Sequence, residues 1–371
     1  MLNISNNPSN ILFLSLLDAE IQNLSERNHF GQAQKIQSAR KSFRNFLTTR
    51  GQTDITLSEL TVHIICDYQQ WLEQRGVMKN SSSCYMRTLQ SVYNKSVATL
   101  TDWQQQPFAK VYRGIAKTKK RATTINMMKR LKSMDLRQGL IALGKNPRRK
   151  TFLPLLHKLM FVRDIFIFSY CARGMAFVDV AYLRKRDIRR GVIHYARRKT
   201  GQHIEVAVEP LMQEIIGRYA DEYPESPYLF PILRATDEAT AYRCYRSALR
   251  TYNEYLKMIA TMLGGDVNLT SYVARHSWAS NMHELNAPMA IISEGLGHDS
   301  EITTQIYIKS LENNEIHRAN KAFINQIFSP RFLTEEREDF IASVLRDEYM
   351  KHLKQQEILP TNNELYWNPD F

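Results

Sequence analysis

One short stretch of this chain is patterned as strands, while the other periodic segments are patterned as helices, and that contrast constrains the fold most. Val192-Ile193-His194-Tyr195-Ala196 and Ile204-Glu205-Val206-Ala207-Val208 flank Lys199-Thr200-Gly201. Alternating β-formers on either side of a turn signal predict an antiparallel hairpin. Elsewhere the apolar residues recur at helical spacing. Before the hairpin, helices are expected over 10–25, 32–48, 57–73, 81–100, 124–134 and 160–170. After it they are expected over 210–220, 239–263, 271–285, 288–295, 302–311, 315–327 and 334–353. The expected fold class is mainly α with a small antiparallel β-sheet.

At 371 residues the chain suits two domains plus an appendage. The expected partition is a helical domain over 1–110, a basic linker over 111–124, a second domain over 125–328 and a tail over 329–371. The tail carries Phe340, Ile341, Val344, Leu345, Tyr349 and Leu353 on one face of an amphipathic helix. The helix over 81–100 sets Leu89, Val92 and Tyr93 at core spacing and shows Arg87 and Lys95 on its other side.

The net charge of +13 is unevenly placed. From Lys110 to Lys150 there are fourteen Lys and Arg against one acid, Asp135. Residues 331–371 hold five basic and nine acidic residues. A basic belt in mid-chain points to a polyanion partner, with Lys117, Lys119, Lys120 and Arg121 as candidate contacts beside Arg87 and Lys95. The four cysteines are scattered and form no CxxC pair, so neither a zinc site nor a disulfide framework is expected. The apolar run 11–17 lacks a basic leader, and no stretch approaches the ~20 apolar residues that span a bilayer. A cytoplasmic, bacterial location associated with the nucleoid is the expectation.

The chemistry is carried by Arg173, Lys199, Arg275, His298 and Tyr307, in that chain order. Tyrosine ionises near pH ~10 and needs help as a nucleophile. Two arginines can hold the non-bridging oxygens of a phosphodiester in its transition state. A lysine at a hairpin tip can protonate the leaving 5′-oxygen, and Arg198 is its neighbouring alternative. His298 can bond a phosphate oxygen or help move the tyrosine proton. These parts break a phosphodiester without a metal, a cofactor or ATP.

The set resembles the tyrosine recombinase (phage integrase) family. The resemblance is carried by Cys171-Ala172-Arg173-Gly174-Met175-Ala176-Phe177-Val178-Asp179, the Lys199 hairpin, Tyr272-Val273-Ala274-Arg275-His276, and Leu296-Gly297-His298 followed by Tyr307. It is strongest toward integrases of Bacteroides-type mobile elements and DNA invertases. It implies a SAM-like core-binding domain near the N-terminus and an α+β catalytic domain. It also implies Tyr307 as nucleophile and a 3′-phosphotyrosyl intermediate. Asp179 matches the acid that braces the first arginine, although it lies six residues on where many members have it three on. Tyr272 stands where the family pattern has histidine, and it is equally a helix-start residue. His276 is expected to pack beneath the site. The implied partners are double-stranded DNA, three further copies of the chain in a tetramer on two sites, and accessory DNA-bending proteins. No arm-binding domain is expected ahead of residue 10. A type IB topoisomerase and a catalytically idle DNA-binding regulator are the alternative readings.

Overall fold

The computed structural model describes residues 10–98, 104–116, 122–220, 224–264 and 267–298. The first four helices are α1 (Phe13–Glu26), α2 (Phe30–Thr49), α3 (Val62–Gln74) and α4 (Lys79–Val97). Their core is unusually aromatic. Phe13 meets Phe43 and Tyr93 edge-on at centroid distances of 5.9 and 6.4 Å, and Tyr68 meets Phe43 at 5.1 Å. Phe108 closes the cluster against Tyr93. The helix expected from residue 57 starts later, at Val62, because Thr61 caps it by accepting from the Ile64 amide. Leu57 and Leu60 are still fully buried, so their apolar pattern reflects core contact outside the helix.

A second core spans residues 128–274. Around it lie α5 (Ile125–Ser133), α6 (Leu136–Ala142), α7 (Phe152–Cys171), α8 (Phe177–Tyr182), α9 (Pro210–Tyr219) and α10 (Glu238–Leu263). α11 (Val273–Glu284) and α12 (Met289–Leu296) follow, with a small cluster of their own around Ala279, Ile292 and Leu296. α7 runs through the centre. Val162, Ile165, Phe166, Ile167 and Phe168 are all buried, which puts core contact on every side of the helix. The helix begins at Phe152, eight residues before the expected start. Asp135 caps α6 and Asp237 caps α10, each accepting from backbone amides of its first turn. Much of the basic belt is therefore built into α5, α6 and the exposed turn before α7.

The three strands are β1 (Ile188–Arg189), β2 (Val192–Ala196) and β3 (His203–Ala207). They form one antiparallel sheet in the order β1-β2-β3, with Val192 opposite Ala207 and Ala196 opposite His203. β3 lies one residue earlier than the pattern suggested. No described helix is long and apolar enough to cross a membrane.

Candidate active site

Arg173 follows the end of α7, where the chain must reverse direction quickly. Arg173 and Gly174 both take left-handed backbone angles, with φ of 57° and 68°. For a residue with a Cβ this conformation costs roughly 1–2 kcal/mol. The turn is held by the Met175 amide, which donates to Ser169 and Ala172 carbonyls, and by the Ser169 hydroxyl, which donates to the Met175 carbonyl at 2.6 Å. Gly174 is required by contact as well as by angle. A Cβ there would sit 2.5 Å from Cα of Arg275. The turn after α7 is thus pressed directly against the backbone of α11.

Arg275 is among the largest fully buried side chains in the protein, at 2% exposure. Its Nη1 donates to the Gly174 carbonyl at 3.2 Å, and its Nη2 donates to the Leu296 carbonyl. Nη2 also lies 3.1 Å from Nε2 of His298. A guanidinium can only donate, so His298 accepts through Nε2 and carries its proton on Nδ1 in this arrangement. The turn holding His298 is fixed by the end of α12. Gly297 adopts φ +63°, and the Gly297 and His298 amides donate to the Glu294 and Ser293 carbonyls. Arg173, Arg275 and His298, far apart in sequence, therefore meet around Gly174.

The hairpin completes the site. Lys199 is exposed at its tip. Asp179, buried on α8, accepts from the Arg198 amide at 2.9 Å. Burial pushes its carboxyl above the ordinary range, against the Arg198 amide and the charges of Arg197 and Arg275. Asp179 thus bonds to the hairpin backbone, whereas the sequence pattern suggests that it braces the first arginine. Tyr195 reports on the same place. Burial holds its phenol well above its usual value, Asp179 adds to the rise, and Arg275, Arg197 and Arg173 oppose it. The Arg198 guanidinium sits 3.7 Å above the Tyr182 ring and pairs with Glu238 at 2.8 Å. It is drawn toward α8 and α10, while Lys199 stays exposed at the tip.

Arg197 is the residue that sequence reasoning missed. It is 6% exposed, and its Nη1 donates to the Gly297 carbonyl at 2.5 Å. Strand alternation carried the signal, because Ile193, Tyr195 and Arg197 share one face of the hairpin. Tyr272 is 42% exposed at the start of α11, its ring edge-on to His276 at 5.1 Å. Arg87 is exposed on α4, and Lys95 is paired with Glu20 at 2.6 Å. Tyr307, Lys117, Lys119, Lys120, Arg121 and the helix expected over 334–353 lie outside the described residues. Among the described residues no cluster of His, Cys, Asp and Glu could hold a metal ion.

Comparison with known proteins decides the family. Residues 12–112 match the phage integrase SAM-like domain, and residues 165–314 match the phage integrase family. Together the two matches cover well over half of the chain. The chain belongs to the phage integrase family of tyrosine recombinases. A curated relative, tyrosine recombinase XerA of Pyrococcus furiosus, is 28% identical over 152 residues, 40% of this chain. That match spans half the length of XerA. Among solved structures, a lambda integrase fragment in a dimer bound to a COC' core site superposes with a TM-score of 0.54 at 15% identity, covering 80% of this chain and 95% of that one. A lambda integrase tetramer bound to a Holliday junction gives 0.54 at 14% identity, over 83% and 82%. The Tn1549 transposon integrase in complex with transposon right end DNA gives 0.51 at 10%, over 84% and 99%. At these identities the likeness is one of fold.

Proposed function

We propose that this tyrosine recombinase is a site-specific DNA recombinase that cuts and rejoins double-stranded DNA through a 3′-phosphotyrosyl link at Tyr307. The observation that carries the reading is the meeting of Arg275, the Arg173-Gly174 turn and His298 at one buried point. A site with several guanidinium groups around one buried acid favours an anion, and a phosphodiester supplies one.

In this mechanism Arg173 and Arg275 bind the non-bridging oxygens and stabilise the charge that builds on them in the transition state. The phenolic oxygen of Tyr307 attacks phosphorus as the bond to the 5′-oxygen breaks, and Lys199 gives that oxygen its proton. His298 takes part in handling the tyrosine proton, a share that Tyr272 is too weak an acid to carry near neutral pH. A 5′-hydroxyl from the second duplex then attacks the phosphotyrosine, and the tyrosine leaves. The bond energy is conserved, so no ATP is required, and the two guanidinium groups give the charge stabilisation that a metal ion would otherwise supply. The assembly is a tetramer on two sites, and phosphate contacts give a binding affinity that falls steeply with salt. The biological act is integration, excision or inversion of a DNA element.

The test is a nicked duplex whose cleavage releases a short, lost fragment and traps the enzyme. The wild-type chain is expected to form a covalent adduct in EDTA and without nucleotide, and Tyr307→Phe to form none. An adduct that survives in Tyr307→Phe sinks the assignment of the nucleophile. Relaxation of any supercoiled plasmid, with no exchange between two sites, sinks the recombinase reading in favour of a topoisomerase.

A further inference from the structure

We propose that Arg197 is a positioning residue that sets the height and angle of the β2–β3 hairpin, so that Lys199 reaches the leaving oxygen. This rests on the DNA-cleavage reading given above.

The argument begins with the turn. The Arg197 amide donates to the Gln202 carbonyl at 2.9 Å, and the Arg197 carbonyl accepts from the Gly201 amide at 2.7 Å. Arg197 is therefore the first residue of the tight loop that displays Lys199, and both of its backbone groups bond to the loop's far end. Its side chain leaves the loop and runs inward to the Gly297 carbonyl. Gly297 is packed onto the hairpin so closely that a Cβ there would lie 2.6 Å from Cδ1 of Ile204, 2.8 Å from Oε1 of Gln202 and 3.3 Å from Cδ of Arg197.

Two consecutive carbonyls at the end of α12 are thus each bound by a buried arginine, Leu296 by Arg275 and Gly297 by Arg197. One arginine belongs to the phosphate clamp, and the other to the hairpin. Cations at a helix C-terminus also interact favourably with its exposed carbonyl dipoles. On the other side, Arg198 anchors the loop to α8 through Asp179 and Tyr182, and to α10 through Glu238. Lys199 is left exposed between these two anchors. The Asp179 anchor uses only the backbone of Arg198, whereas the Gly297 anchor depends on the side chain of Arg197. Changing that side chain should therefore move Lys199 while sparing the fold of the hairpin.

The full chain is assayed on two duplexes, one with the natural 5′-oxygen at the cleavage point and one with a bridging 5′-sulfur. A thiol ionises near pH ~8.5, far below an alcohol, so the sulfur leaves without a proton from the enzyme. On the oxygen duplex, Arg197→Ala and Lys199→Ala are each expected to slow adduct formation by about 10²-fold or more. On the sulfur duplex both should return to within about tenfold of wild type, by the same removal of the need for an acid. The double variant should be no slower than Lys199→Ala alone, because both act on one step. DNA affinity should not change. Arg197→Lys, which keeps a donor toward Gly297, should recover part of the rate and serves if Arg197→Ala does not fold.

An Arg197 variant equally slow on both duplexes overturns the inference, because its defect then lies in the fold, in binding or in another catalytic group. So does one as fast as wild type on oxygen. A wild-type chain that forms no adduct on either duplex overturns the cleavage reading and this inference with it. A wild-type adduct with Lys199→Ala rescued and Arg197→Ala not rescued overturns this inference alone.

Discussion

The two cores of this protein bury different things. Among the described residues of 13–111 the buried polar side chains are Ser82, Ser83 and Thr88, and the rest of the core is apolar or aromatic. Beyond residue 125 the buried polar set includes Asp164, Asp179, Arg197 and Arg275. Burying a charge is costly unless it is paired or hydrogen-bonded: Asp164 is ion-paired with Arg218, while Asp179, Arg197 and Arg275 bond to backbone groups. Asp164 accepts from Tyr219 and Arg218, which braces α7 against α9 away from the site. The other three lie where the hairpin, α8, α11 and the end of α12 converge. The first core, among the described residues, buries no charged side chain. The second gives up some apolar packing to hold guanidinium groups in fixed directions before DNA arrives, which is what electrostatic preorganisation requires.

The sharpest way to break this contrast is to damage each core and read both stability and chemistry. Phe43→Ala removes a ring with no exposure at the centre of the aromatic cluster. It should cost about 3–5 kcal/mol in chemical denaturation, with the catalytic geometry untouched in whatever fraction stays folded. Arg275→Ala should act the other way and lower the rate of adduct formation by about 10²–10³, or about 2.7–4 kcal/mol of barrier. If its rate falls no more than that of Phe43→Ala, the division of labour between the cores is wrong.

A smaller effect is expected from Gly174→Ala. The new methyl meets Cα of Arg275 at 2.5 Å in a left-handed backbone. Stability should fall by about 1–3 kcal/mol. Adduct formation should fall by more than that stability loss explains if Arg275 clamps the phosphate as proposed. The subtlest test is pH. Burial raises the Asp179 carboxyl, so the folded chain holds this proton to a higher pH than the unfolded chain. Its contribution is fully present below the ordinary carboxylate range and is lost as pH rises through the raised value. Denaturation midpoints across acid pH should show that loss in the wild type, and Asp179→Asn should flatten it.

Much of this was legible in the chain. The long helices and the hairpin show because each repeats its pattern over several turns or alternations. α6, α8 and β1 do not show, because seven, six and two residues are too few to establish a period. The start of α7 was hidden for another reason. Pro154 lies in its first turn and Leu153, His157 and Lys158 are exposed between buried Phe152 and Leu159, so the pattern there reads as loop. Arg173, Lys199, Arg275 and His298 stand out as candidates by type and spacing. Arg197 sits directly before Arg198 and Lys199, where one more arginine carries no information until its burial is known.

Sequence alone determined where the long helices lie, where the hairpin turns and which side chains can carry phosphodiester chemistry. Those properties follow from local propensity, periodicity and functional-group chemistry, all written along the chain. Tertiary structure decided that the Asp179 side chain serves the hairpin backbone, that Arg198 is drawn toward α8 and α10 and that Arg197 ties the hairpin to the turn before His298. Each of these depends on contacts between segments 19 to 100 residues apart. No local pattern encodes such contacts, because they exist only once the helices have packed.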